Sequence, residues 1–428
     1  MYLSLRDRPG GATPHDARTT ASRVSSVVVT LGIVSMLTDM SSESVVAVLP
    51  LYVTATLGLS TIAYGFIDGL MQGASALVRI LGGWAADRLD RPKWVAFFGY
   101  GVSALTRGAL LFAAGFGAIT ALVTFDRIGK GFRTAPRDAI ITASSNRQFL
   151  GRSFGVHRTL DTVGAALGPL MAFVVLWEIP NGYSTVFVAS FACALLGLAA
   201  LGLLVPDVRP RAKLGGPKVE RVPIRWRHVL GGPARPILIA AAVLGLLTVG
   251  DGFIYLALQS RDGFATRWFP LLYVGTNIGY LGLAIPVGRL ADRVGRAKVL
   301  VIGHLGLVAA YAVAAMHSGG TRSTLLCLLL MGTFYAATDG VLAAIAGRVS
   351  SDESRASTIA AAQTVTAVAR MIASSAFGLL WYTIGRSSAL DVVALALVVA
   401  VPACYLLTRR LDRDVAADDA AAVEANSK

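Results

Sequence analysis

The feature that most constrains this chain is a length, repeated: mainly apolar runs of about twenty residues or more. "YSTVFVASFACALLGLAALGLL", residues 183 to 204, contains no charge at all. A run of that size matches the hydrocarbon thickness of a bilayer once it is helical. Inside lipid the backbone has no water to bond with, so each crossing segment must satisfy itself as a helix. Twelve such candidate spans follow one another, at 24–56, 60–84, 94–115, 117–138, 154–177, 183–205, 236–259, 268–288, 298–317, 323–347, 356–383 and 388–408. The reading is an all-α polytopic membrane protein. Composition agrees, with 55% hydrophobic and 15% charged residues, against about 25% charged in a typical soluble domain.

The net charge of +14 would suit nucleic acid, but its placement argues for topology. With the N-terminus inside, the outer loops hold only Arg261, Arg267, Arg322 and Arg386. That bias is the positive-inside rule, and an even number of spans leaves both termini in the cytoplasm. No nucleic-acid partner is expected. Residues 1–23 read as a cytoplasmic arm with no signal peptide. The acidic, alanine-rich segment from Asp412 reads as a second disordered arm, within a tail at 409–428. Cys193, Cys327 and Cys404 and the five histidines have no ligand spacing, so neither metal, cofactor nor disulfide is expected.

A Pro-, Gly- and Arg-rich stretch at 206–235 divides the spans six and six. It reads as a cytoplasmic linker with a short amphipathic helix near Ile224–Leu230, between halves at 24–205 and 236–408. The halves repeat: "GGWAADRLDRPKWVAF" (82–97) follows the second span and "VGRLADRVGRAKVLVI" (287–302) the eighth. Two homologous six-span halves about a midplane site make a transporter architecture.

These residues resemble the major facilitator superfamily. Gly288, Asp292, Arg293, Gly295, Arg296 and Lys298 match its G-x-x-x-D-R-x-G-R-x-K loop, and Gly83, Asp87, Arg88, Arg91 and Lys93 its first copy. The first copy has Asp90 where the family has glycine, so a different turn is expected there. "DRIGKGFRTAPRDA" (126–139) is similar to the fourth-span arginine motif of a group of bacterial permeases. "GAALGPL", with Gly164, Gly168 and Pro169, is similar to the fifth-span motif of antiporter-type exporters; small-x-x-x-small spacing is equally a packing device. The resemblance implies twelve helices in two pseudo-symmetric halves, in a bacterial inner membrane. It also implies a loop that latches the cytoplasmic side. There the glycine lets helix ends approach closely, and Asp87 or Asp292 accepts from a facing helix N-terminus.

In the superfamily, spans 1, 4, 7 and 10 line the cavity, and each carries an aspartate here. Asp39 falls mid-span, with Glu43 a turn away; Asp126 and Arg127 are mid-span in the fourth. Asp251 sits in the outer half of the seventh, Asp339 in the inner half of the tenth, and Arg370 midway along the eleventh. Embedded ionisable groups usually face an interior or a wet cavity and mark function. Asp39 is read as the leading proton carrier, Glu43 as second and Arg127 as its switching partner, with Lys130 a further counter-ion. At 100° per residue, Asp126, Lys130, Arg133 and Arg137 form one stripe. Arg133, Arg137 and Asp138 are placed at the cytoplasmic edge, where Asp138 would engage Arg91 or Arg88. Asp68 would meet Arg370 as an outer gate, while Arg158 and Asp161 are gate or packing groups.

The functional expectation is a monomeric, proton-coupled secondary transporter exporting a small organic molecule. A symporter or exchanger of an organic or phosphate-bearing anion is the alternative, and a membrane enzyme or sensor a remote third. The chain has no phosphate-binding loop and no H-E-x-x-H, which counts against ATP-driven work and zinc-dependent hydrolysis.

Overall fold

A computed structural model describes residues 24–208, 234–350 and 355–426. The first arm and the Ile224–Leu230 segment lie outside the described residues. Among the described residues there is no strand, and the architecture is an all-α polytopic membrane protein.

The first six helices are α1 (Ser26–Leu51, continued by a π-turn at Tyr52–Thr56), α2 (Thr61–Leu89), α3 (Pro92–Ala109), α4 (Gly115–Ala143), α5 (Leu150–Glu178) and α6 (Tyr183–Leu204). The seventh span is broken into α7 (Arg235–Leu246) and α8 (Asp251–Asp262); α9 (Pro270–Val294) and α10 (Arg296–Ala315) follow. The tenth is broken again, into α11 (Thr321–Thr338) and α12 (Val341–Arg348), before α13 (Arg355–Ile384) and α14 (Arg386–Asn426). Local chemistry starts several of them: the Ser25 hydroxyl accepts from Val27 N and that of Ser60 from Ala63 N, both at 3.3 Å, and Pro92 occupies the first turn of α3.

Ten helical segments among the described residues are long and apolar enough to cross a membrane. Two further helices, α2 and α4, are each 29 residues long, about 43 Å, but are more polar. They carry several of the charges that the bundle encloses, Asp68 on α2 and Asp126, Arg127 and Arg133 on α4. The last helix also corrects an expectation. Instead of ending in a disordered arm, α14 continues to Asn426, as an alanine-rich stretch readily does.

The two repeated turns differ as expected. Asp90 adopts the left-handed region at φ 49°, which aspartate tolerates better than most residues. Gly295 instead takes φ 107°, ψ 131°, a conformation essentially reserved for glycine. The end of the bundle bearing these turns is called here the basic end.

Packing differs sharply between the two ends. Away from the basic end a single core spans both groups of helices, joining Val45, Leu49 and Tyr64 to Phe253, Tyr311 and Phe377. At the basic end the core is split. One cluster gathers Val28, Leu31, Tyr100, Ile140 and Leu201, and another Ile237, Leu300, Ile345 and Ala362. The far end is sealed by α2 against α13, along Gly65, Gly69 and Gly73. A Cβ added to Gly65 would stand 2.7 Å from Ser374 O, and one added to Gly69 2.6 Å from Met371 O. Only glycine permits that approach.

Candidate functional site

The charged stripe of α4 points at α1. Arg133, buried and stacked on the Tyr100 ring at 4.4 Å, reaches Asp39 at 3.4 Å. Lys130 Nζ lies 4.0 Å from Asp39 and 3.9 Å from Glu43. Arg137 pairs with Asp138 at 3.0 Å and approaches Asp161 of α5 at 3.9 Å. Asp161 thus joins the same cation cluster as Asp39, with Arg137 at 3.9 Å and Arg158 at 3.7 Å. The Ser35 hydroxyl ties this cluster to His157 Nε2 at 3.0 Å and receives Arg137 Nη1 at 3.4 Å.

Several sequence-based placements change. Arg127 is paired with Asp126 at 3.3 Å, so it is not the partner of Asp39; Arg133 holds that position. Arg133 is embedded and not at the edge, because α4 runs on to Ala143, about 15 Å beyond it. Asp138 bonds its neighbour Arg137 in place of a loop arginine. Asp126 has a second partner on α3 that the sequence reading missed: Arg107, at 2.8 Å, with side chains 5% and 4% exposed. Its signal was available, since it is a lone arginine within an apolar span.

The loop motif also reads differently. Asp292 pairs locally with Arg296 at 2.7 Å, four residues on, instead of capping a facing helix. Gly288 has open space around it, so close approach does not require glycine there. Lys93 donates to Gly202 O at 2.8 Å, fastening α3 to the end of α6, where a cation suits the carbonyl-rich terminus. In the fifth span, Gly164 and Gly168 lie against α1. A Cβ on Gly168 would be 2.8 Å from Glu43 Cβ, Met40 O and Ser44 N. Pro169 is buried within α5. The side chain of Asp87 and the surroundings of Gly83 lie outside what is described.

The second group of helices supplies broken spans. At the first break, the Tyr311 hydroxyl accepts from Val249 N at 2.7 Å and donates to Leu247 O at 3.2 Å. The freed backbone groups of the seventh span thus stay satisfied, as lipid demands. Asp251, opening α8, accepts from Tyr335 Oη at 2.6 Å. Asp68 does not meet Arg370; it accepts from Ser374, one turn further along α13, and from Tyr64 at 3.5 Å. Arg370 and Asp339 instead face a cavity of about 490 Å³, together with Gln72, Arg158, Tyr280 and Gln363. That cavity lies between the two split cores, toward the basic end.

The pattern of the Major Facilitator Superfamily matches residues 31–276 and 269–424. The chain belongs to this superfamily. Among its relatives, an uncharacterized MFS-type transporter of Methanocaldococcus jannaschii is 29% identical over 361 residues, covering 82% of this chain and 87% of that one. The fosmidomycin resistance protein of Escherichia coli is 24% identical over 351 residues, covering 78% and 82%. Solved structures with the same fold include the nucleoside transporter NupG, with TM-score 0.72 and 16% identity over 89% of this chain and 99% of that one. The peptide transporter POT in complex with sulfate superposes with TM-score 0.74 and 15% identity, over 91% and 95%. Membership makes the chain a multi-pass membrane transporter, and the cavity between its two groups of helices is the place to look for its cargo.

Proposed function

We propose that this superfamily member is a proton-coupled secondary transporter that exports a small organic molecule by alternating access. In this reading it is a monomer of two halves, 24–205 and 236–408, in a bacterial inner membrane with both termini cytoplasmic. Its cargo is moved unchanged, without catalysis.

The observation that carries the coupling is the gathering of Asp39 and Asp161 around Arg133, Lys130 and Arg137. Carboxyl groups that share one set of cations take up a proton when a cation moves away and release it when the cation returns. A proton arriving or leaving therefore re-sorts the pairs between α1, α4 and α5. Alternating access is supported by the shared core at one end and the split cores at the other, a shape open toward the basic, cytoplasmic side. Export is supported by the resistance protein among the relatives.

A sensitivity screen of a deletion strain against diverse toxic compounds supplies a substrate. Proteoliposomes then read direction: antiport predicts protons moving against the substrate, with coupling lost in Asp39→Asn. Protons moving with the substrate would replace export by the second reading, anion import by symport, which draws on the unpaired Arg370.

A further inference from the structure

Charges are shared unequally between the two groups of helices. In the first, the interior cations have carboxylates within 4.0 Å: Arg107 and Arg127 share Asp126, Lys130 and Arg133 share Asp39, and Arg137 has Asp138 and Asp161. Each of these cations thus has a carboxylate partner. Arg370 on α13 is different. Among the described residues no carboxylate stands within 4.0 Å of it, its buried Nε has no hydrogen-bond partner, and its nearest ring, Phe334, is 6.0 Å away.

Arg370 faces the cavity, and so does Arg158 of α5 from the other side. Arg158 touches Asp161 at 3.7 Å, yet its side chain remains 82% exposed. Both guanidinium groups act electrostatically on Asp339. The charged groups lining the cavity are two arginines and one aspartate, beside His304 and Tyr280. The same wall includes Gly340, Leu342 and Ala343, the start of α12, whose free N–H groups add positive potential. A guanidinium held within a bundle with no carboxylate in contact is costly. A ligand of opposite charge lowers that cost.

We propose that the cavity binds an organic anion, its acidic group gripped between Arg370 and Arg158. The planar fork of each guanidinium matches a carboxylate or a phosphate monoester in two-point fashion. Gln72 and Gln363, lining the same space, offer hydrogen bonds to the polar remainder. About 490 Å³ fits a small molecule of drug size. Because the two arginines come from opposite groups of helices, the anion itself ties the two sides of the cleft. The assignment rests on the cavity being the transport site and is independent of proton coupling and of direction.

Equilibrium binding tests it without any flux measurement. The purified full-length protein in detergent is unfolded thermally at fixed pH and ionic strength, in titrations of benzoate, benzamide and sulfate. Benzoate and sulfate should raise the midpoint saturably and benzamide should not. Arg370→Gln should weaken both anions by about tenfold or more, the scale of a lost charge-assisted hydrogen bond. Arg158→Gln should weaken them by about tenfold, and Arg370→Lys should restore part of the effect. Equal stabilisation by benzamide, unchanged anion binding in a cooperatively unfolding Arg370→Gln protein, or no saturable anion effect on the native protein would overturn the proposal. Asp39→Asn that loses coupling yet binds benzoate normally separates this outcome from that of the transport reading.

Discussion

Arg133 of α4 and Asp39 of α1 stand 3.4 Å apart, with the arginine side chain 4% and the aspartate 14% exposed. The pair is close to dry, but one side of the aspartate still meets Lys130, which also reaches Glu43. Arg133 is thus a fixed member of the cluster, braced by Tyr100, and the partners on the open side are the movable ones.

Asp39→Asn should therefore abolish substrate-driven proton movement, with the residual coupled rate down by about 10²-fold or more, the usual scale for a positioned proton-transfer group. The variant should also lose the pH dependence of transport. Dye-reported proton flux in proteoliposomes checks both; a coupled rate matching the native one would remove Asp39 from the circuit.

Arg107→Met should destabilise the fold by about 1.5–3 kcal/mol, because it removes the nearer of the two cations on buried Asp126. Asp126 keeps Arg127 at 3.3 Å, so its charge is not stranded. Adding Asp126→Leu should deepen the loss, since buried Arg127 is then left without its carboxylate. Thermal unfolding of the single and double variants in detergent gives the comparison.

Gly168→Val should separate α5 from α1 and lower the yield of folded protein. The new side chain would begin 2.8 Å from the backbone of Met40 and Ser44, where neither helix can yield cheaply. Gly288→Val should be nearly silent, because nothing surrounds that position. Size-exclusion profiles of the two variants should diverge accordingly.

Gly65→Ala should loosen the far end, since a Cβ there would stand 2.7 Å from Ser374 O, where the backbone of α13 cannot yield cheaply. The variant should unfold at a lower temperature in detergent and transport more slowly. Unchanged stability and transport would mean that α2 and α13 need not approach so closely.

The helices were legible because lipid leaves so little choice: apolar length dictates span, and the repeated loop dictates a duplicated architecture. The stripe on α4 was legible as a face but not in depth. Counting from a helix end at 138 put Arg133 at the edge, whereas the true end at Ala143 moves it inward and gives it Asp39. Helix breaks were less visible. Gly250 and Gly340 flank them, but glycine is common in membrane helices, and only tertiary partners such as Tyr311 make an unwound turn tolerable. Pairings between spans, Arg107 with Asp126 or Asp68 with Ser374, follow from helix rotation, which apolar periodicity does not report in a chain that is greasy on every side.

The glycine ridge of α2 has a mechanical meaning. At Gly65 and Gly69 the seam sets α2 against the backbone of α13, while Gly73 receives the Met371 side chain and Asp68 holds Ser374. It behaves as a flat seal with a catch: to part it, a thioether must leave its notch and a hydroxyl must let go of a carboxylate.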